Sequence, residues 1–161
     1  MAQANNDQIG ANVVALEGVK IGWTNFQGLE GPFNKKGERF FTVFLPEAVA
    51  EELSKLGWNV KFPEAEEIPE EGFEKNPTIQ IKMKVDGARP PKIAIVNGRN
   101  NEPVMLNGDS VGILDNTDID FVDIEFRANN YDVQGRQGKS AWLRALYVTI
   151  NKYAFDDKYG V

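Results

Sequence analysis

The chain contains no cysteine and no histidine. The first absence excludes disulfides and thiolate chemistry, the second excludes imidazole proton transfer, and the two together remove the usual zinc sites. Any catalysis would fall to carboxylates, Lys, Tyr, Ser or Thr. No apolar run approaches the ~20 residues of a membrane span, and the N-terminal MAQANNDQIG lacks the basic and apolar regions of a signal peptide. These absences favour a cytosolic binding protein, with no membrane partner and no cofactor, over an enzyme.

What is present suits one soluble domain. The 161 residues are 42% hydrophobic and 26% charged, and are long enough to bury a core without staples. The formal net charge of -6 is unevenly spread. Residues 63–76 carry six Glu and one Lys, and residues 93–133 sum to -6. Three other segments are basic: 33–44 at +2, 77–92 at +3 and 134–150 at +3. An acidic chain can thus present a basic face.

Residues 1–10 read as a flexible terminus, 11–155 as the domain and 156–161 as a short C-terminal tip. VVALEGVKIGWTNF (13–26) is rich in strand formers, with Gly18 and Gly22 as bend or bulge sites. A Gly-rich turn leads to a strand over Arg39–Leu45. Pro46 opens a helix to about residue 56, with an apolar stripe of Val49, Leu53 and Leu56 and a stop at Gly57. WNVKF (58–62) reads as a strand, and PEAEEIPEEGFEKNP (63–77), with three Pro and no periodicity, as an acidic loop.

Ile79–Val85 alternates strictly, with Ile79, Ile81, Met83 and Val85 on one face. A turn at Arg89–Lys92 precedes a strand over Ile93–Val96. Residues 97–108 are loop-like, and Ser110–Leu114 reads as a short helical turn. Ile119–Asn130 and Ala141–Ile150 form a hairpin around the loop YDVQGRQGKS. Six or seven strands and one helix, with no βαβ alternation, predict a mainly β fold. The architecture expected is an antiparallel barrel or curved sheet like the oligonucleotide-binding (OB) fold.

Single-strand binders need cations along the backbone and rings on which bases stack. The basic segments supply such groups. They are Lys35, Lys36 and Arg39 with Phe33 and Phe41; Lys82, Lys84, Arg89 and Lys92; and Arg136, Lys139 and Arg144 with Tyr131, Trp142 and Tyr147. Trp142 and Tyr147 can each serve core or site. Under regular alternation Trp142 and Arg144 share a face with Leu146, Val148 and Ile150, and Tyr147 lies opposite with Leu143. Phe40 and Phe44, of one parity, read as core, as do Trp23 and Trp58. Phe41 lies opposite Phe40 and Phe44.

Two other functions are open on sequence. Asp115, Asp118, Asp120, Asp123 and Glu125 could form a Mg²⁺-dependent nuclease site. A solvated strand face explains them more simply, because Arg127 stands where an acid-x-Lys nuclease signature needs Lys. Alternatively, the 63–76 loop could act as a nucleic-acid mimic in an adaptor or inhibitor.

Five stretches together resemble a family of phage-encoded replication proteins that bind single-stranded DNA. They are NFQGLEGPFNKKGERFFTVFLPE, LGWNVKF, ARPPKIAIV, SVGILDNTDIDFVDIEFRANNYDVQG and SAWLRALYVTI. The resemblance covers most of residues 19–155. It implies an OB-type barrel without catalytic activity, with single-stranded DNA as ligand and phage or host replication and recombination proteins as partners, in the host cytoplasm. Carried to this chain, it supports the Lys35–Arg39 turn and the Lys139–Tyr147 strand as nucleic-acid-facing. The C-terminus departs from the pattern, since residues 151–161 are charge-neutral rather than a long acidic tail.

Overall fold

The computed structural model describes residues 7–32, 34–63 and 76–151, with the side chains of Arg99, Val133, Arg136 and Gln137 set aside. Phe33, most of the acidic loop (64–75) and the C-terminal tip lie outside the described residues. The elements run β1 (Gln8–Ile9), β2 (Val13–Asn25), β3 (Arg39–Phe44), α1 (Glu47–Lys55), β4 (Val60–Lys61), β5 (Thr78–Met83), β6 (Lys92–Ile95), β7 (Val104–Leu106), β8 (Ile119–Val133) and β9 (Arg136–Ile150). Short 3-10 segments occupy Arg99–Asn101 and Val111–Asn116.

Five strands close a barrel in the order β2–β3–β5–β9–β8 and back to β2. Every pairing in the ring is antiparallel except β5 with β9, where Ile81 meets Ala141 and Lys82 meets Trp142. This mainly β, closed ring is the OB-like architecture expected. Beyond the closure β9 pairs with β6 in parallel, and the β6–β7 hairpin extends the sheet. The interior is filled by alternate residues: Ile79, Ile81 and Met83 from β5, and Val122, Ile124 and Phe126 from β8. In α1, Val49, Ala50 and Leu53 are buried, and Gly57 takes φ +92°, a left-handed stop that disfavours other residues.

Several local expectations are corrected. Gln8 and Ile9, read as part of the loose terminus, pair with Ala15 and Val14. The stretch 97–108 contains β7. The final hairpin is longer than expected, because Gln134 and Gly135 both take positive φ (+53° and +81°). Such a two-residue turn matches strand twist and lets most of YDVQGRQGKS join the ladder.

The parity of β3 is the reverse of that expected. Phe41, Val43 and Leu45 are buried, whereas Phe40 and Phe44 stand half-buried on the outside. β3 is apolar on both faces, so its partner decides. Phe41 lies opposite Ile81 and Val43 opposite Ile79, and directly paired residues share a face. In β9 a bulge at Arg144, where Glu125 and Phe126 meet Ala145 and Leu143, breaks the alternation. Leu143, Leu146 and Val148 are buried, and Trp142 and Tyr147 both remain partly exposed.

Candidate nucleic-acid interface

A row of side chains crosses the outer face of three barrel strands. In the β3–β5 ladder Phe40 is paired with Lys82, and in the β5–β9 ladder Lys82 is paired with Trp142. With strands ~4.8 Å apart, the backbone positions of the two rings lie about 10 Å from each other, with that of Lys82 between them. Lys82 Nζ lies 6.0 Å from the Trp142 ring centroid, at the limit of a cation–π contact. The Trp142 Nε1 is shielded from solvent and has no hydrogen-bond partner among the described residues.

This row forms part of an open cleft of about 790 Å³, whose rim includes Asn34, Arg39, Lys84 and Asp86. A second hollow of about 340 Å³ shares Gln80 and Lys82 with it and continues to Lys61, Tyr131 and Lys139. The two make one surface over β3, β5 and the start of β9. In an OB barrel the face of the second and third barrel strands, here β3 and β5, is where oligonucleotides and oligosaccharides bind.

The predicted residues divide accordingly. Lys82, Lys84, Arg39, Tyr131, Lys139 and Trp142 line this surface. Lys35 and Lys36 are exposed in the turn before β3, and Arg89 and Lys92 are exposed before and at the start of β6. Phe33 and the side chain of Arg136 lie outside the described residues. Phe41 is a correction: fully buried and stacked on Phe26 at 5.2 Å, it offers no face to a ligand. Arg144 is ion-paired with Glu125 at 3.3 Å. Tyr147 stands beside β6, opposite Ala94, five residues along β9 from Trp142. Lys61 and Gln80 were not singled out by sequence, and Phe40 was read as core. The outward parity of Gln80 was legible, whereas that of Phe40 depended on the β3 register.

Two of the cations also hold the fold. Arg39 Nη1 donates to the Phe26 carbonyl at 2.8 Å. Lys139 Nζ donates to the carbonyls of Ala11 and Leu56 at 2.6 and 2.7 Å and lies 5.6 Å from the Trp58 ring. Lys139→Met is therefore expected to lower stability by about 1.5–3 kcal/mol, the worth of a hydrogen bond to a charged group. Thermal unfolding checks this; unchanged melting with weakened oligonucleotide binding would give Lys139 to the interface alone.

The carboxylates of 115–125 are dispersed. Asp115 accepts the backbone N–H groups of Phe26 and Gln27, Asp123 accepts that of Gly18, and Asp120 pairs with Lys20. Among the described residues no group of three or more His, Cys, Asp or Glu is placed to hold a metal ion.

The family model described as "Putative phage ssDNA-binding domain" matches residues 1–161. No curated protein matches the chain significantly in sequence. Among solved structures, the fold is similar to the C-terminally truncated single-stranded DNA-binding protein from bacteriophage Enc34. That match has a TM-score of 0.60 at 9% identity, over 94% of this chain and 93% of the other. The same phage protein in complex with single-stranded DNA matches with a TM-score of 0.58 at 7% identity, over 94% of each chain. At these identities the likeness is one of fold.

Proposed function

The chain belongs to the phage single-stranded DNA-binding domain family, and we propose that it binds single-stranded DNA along the β3–β5–β9 surface without catalysing a reaction. Its role is to protect or organise strands during phage replication or recombination, in the host cytoplasm and alongside phage or host replication proteins. The observation that carries this reading is the row Phe40–Lys82–Trp142, with a ring on each side of a cation on the open face of an OB-like barrel.

Bases stack on Phe40 and Trp142, each stack contributing about 1–3 kcal/mol. Phosphate draws Lys82 away from the Trp142 ring, exchanging a weak cation–π contact of about 0.5–1 kcal/mol for a charge-assisted hydrogen bond. Lys61 and Lys84 extend the cationic track along the cleft, and Lys35 and Lys36 reach it from the turn before β3. Arg89 and Lys92 continue it toward β6, and Tyr131 adds a ring at the far end.

Fluorescence titration with oligo-dT tests the proposal. For roughly three to five neutralised phosphates, log K should fall against log[salt] with a slope of about -2 to -3.5. Absence of binding at micromolar protein in low salt would reject the function. Cleavage of labelled DNA in Mg²⁺ would reject the non-enzymatic part of it.

A further inference from the structure

We propose that Trp23 and Phe44 form a second base-stacking platform, extending the single-strand track from the β5–β9 cleft across β3 onto β2. This inference rests on the DNA-binding reading above and adds a separate site to it. Trp23 is 71% exposed although it sits within a barrel strand. An exposed tryptophan at such a position is not held there by burial. Its backbone is strained as well: φ is +44°, in the left-handed region that a bulky residue rarely adopts.

The cause is local. The β2–β3 register shifts between Gly22 and Asn25, and a bulge of this kind re-aims the side chain it carries. Here it turns the indole outward, 5.4 Å from the Phe44 ring at an interplanar angle of 56°. The Phe44 ring in turn lies over Gly22, where a Cβ would come within 2.8 Å of it. A glycine floor, a phenylalanine resting on it and a tilted tryptophan make a two-ring surface open to solvent.

The platform lies farther along β3 from the cleft, whose lining reaches Phe40 but not Phe44 or Trp23. Phe44 is four residues from Phe40 on the same outer face of β3, about 13 Å along the strand. Lys20 is the cross-strand partner of Phe44 on β2, and its side chain is 66% exposed. Its ammonium is bonded to the Asp120 carbonyl and carboxylate at 2.6 and 3.2 Å, so unlike Lys82 it meets a phosphate only by exchange from that exposed pair. A single-stranded nucleic acid, with a π-face on every base, is the occupant that fits rings spaced along one strand face in this way.

Oligonucleotide length separates the two sites. An oligo-dT series from about 4 to about 16 nucleotides, the range single OB folds cover, is titrated against the wild type, Trp23→Ala and Trp142→Ala. Trp23→Ala is expected to leave the affinity for the shortest oligonucleotides unchanged. It should weaken binding of the longest by about 5- to 150-fold, the equivalent of one lost stack. Trp23→Phe should recover most of that loss, and Trp142→Ala should weaken binding at every length. Equal affinity of wild type and Trp23→Ala at all lengths, with Trp142→Ala impaired, would overturn the platform and leave the cleft standing. Failure of the wild type to bind at any length would instead reject the underlying function. Because Trp23 is exposed and its backbone strained, melting temperatures of the Trp23 variants should stay near wild type. A large drop would assign the ring a structural role and overturn the proposal.

Discussion

Phe41→Ala is expected to cost about 3–5 kcal/mol of stability, the range for deleting a buried aromatic ring. Phe41 is fully buried, stacks on Phe26 and lies opposite Ile81 at the centre of the β3–β5 ladder. Truncation leaves a cavity that neighbours from several strands must line. Phe40→Ala, one residue away, removes a half-buried ring from the outer face and should cost far less stability. Denaturant unfolding of the two variants distinguishes them. If Phe40→Ala proved the more destabilising, the parity of β3 described above would be wrong, and with it the composition of the cleft. Phe41→Leu, which retains most of the apolar volume, extends the comparison should Phe41→Ala fail to fold.

Removing both rings of the cleft should have the largest effect on binding. With each stacked base worth about 1–3 kcal/mol, Phe40→Ala/Trp142→Ala is expected to lose about 2 kcal/mol or more, at least ~30-fold in affinity. The two positions flank Lys82 and share a cleft, so their effects should couple rather than add. The single variants complete the cycle. Wild-type affinity in a folded double variant would exclude the row as the binding surface, whatever the protein binds elsewhere.

The parts of the fold legible in the sequence were those in which one strand carries a single apolar face. β5 alternates without conflict, and its inward residues were identified from period alone. The helix followed from Pro46, its apolar stripe and Gly57. β3 was not legible because RFFTVF offers rings to both faces. Only the pairing with β5, whose opposite face carries Gln80 and Lys82, selects Phe41 for the core. In β9 the inward parity of Leu146 and Val148 held, but Trp142 and Leu143 were placed on the wrong faces relative to it, because the bulge at Arg144 shifts parity in a way that no periodicity of the strand itself announces.

The candidate interface shows the same division. Lys82, Lys84 and Trp142 were identified by charge and ring content, and the fold gathers them. Trp23 was assigned to the core by hydrophobicity, since the bulge that exposes it depends on register with a distant strand. Lys139 was read as a nucleic-acid-facing cation, and it lines the second hollow. That its ammonium anchors the carbonyls of Ala11 and Leu56 could not be read from sequence, because those groups meet only in the closed barrel.

The location of the bound strand is the central claim, and photocrosslinking tests it most directly. Oligo-dT is crosslinked to the full chain by ultraviolet light, and the modified residues are identified by mass spectrometry. Crosslinks at Phe40 and Trp142, lost when excess unlabelled oligonucleotide competes, are the predicted result. Specific crosslinks confined to the β6–β7 hairpin or to β8, with none on β3, β5 or the start of β9, would contradict it.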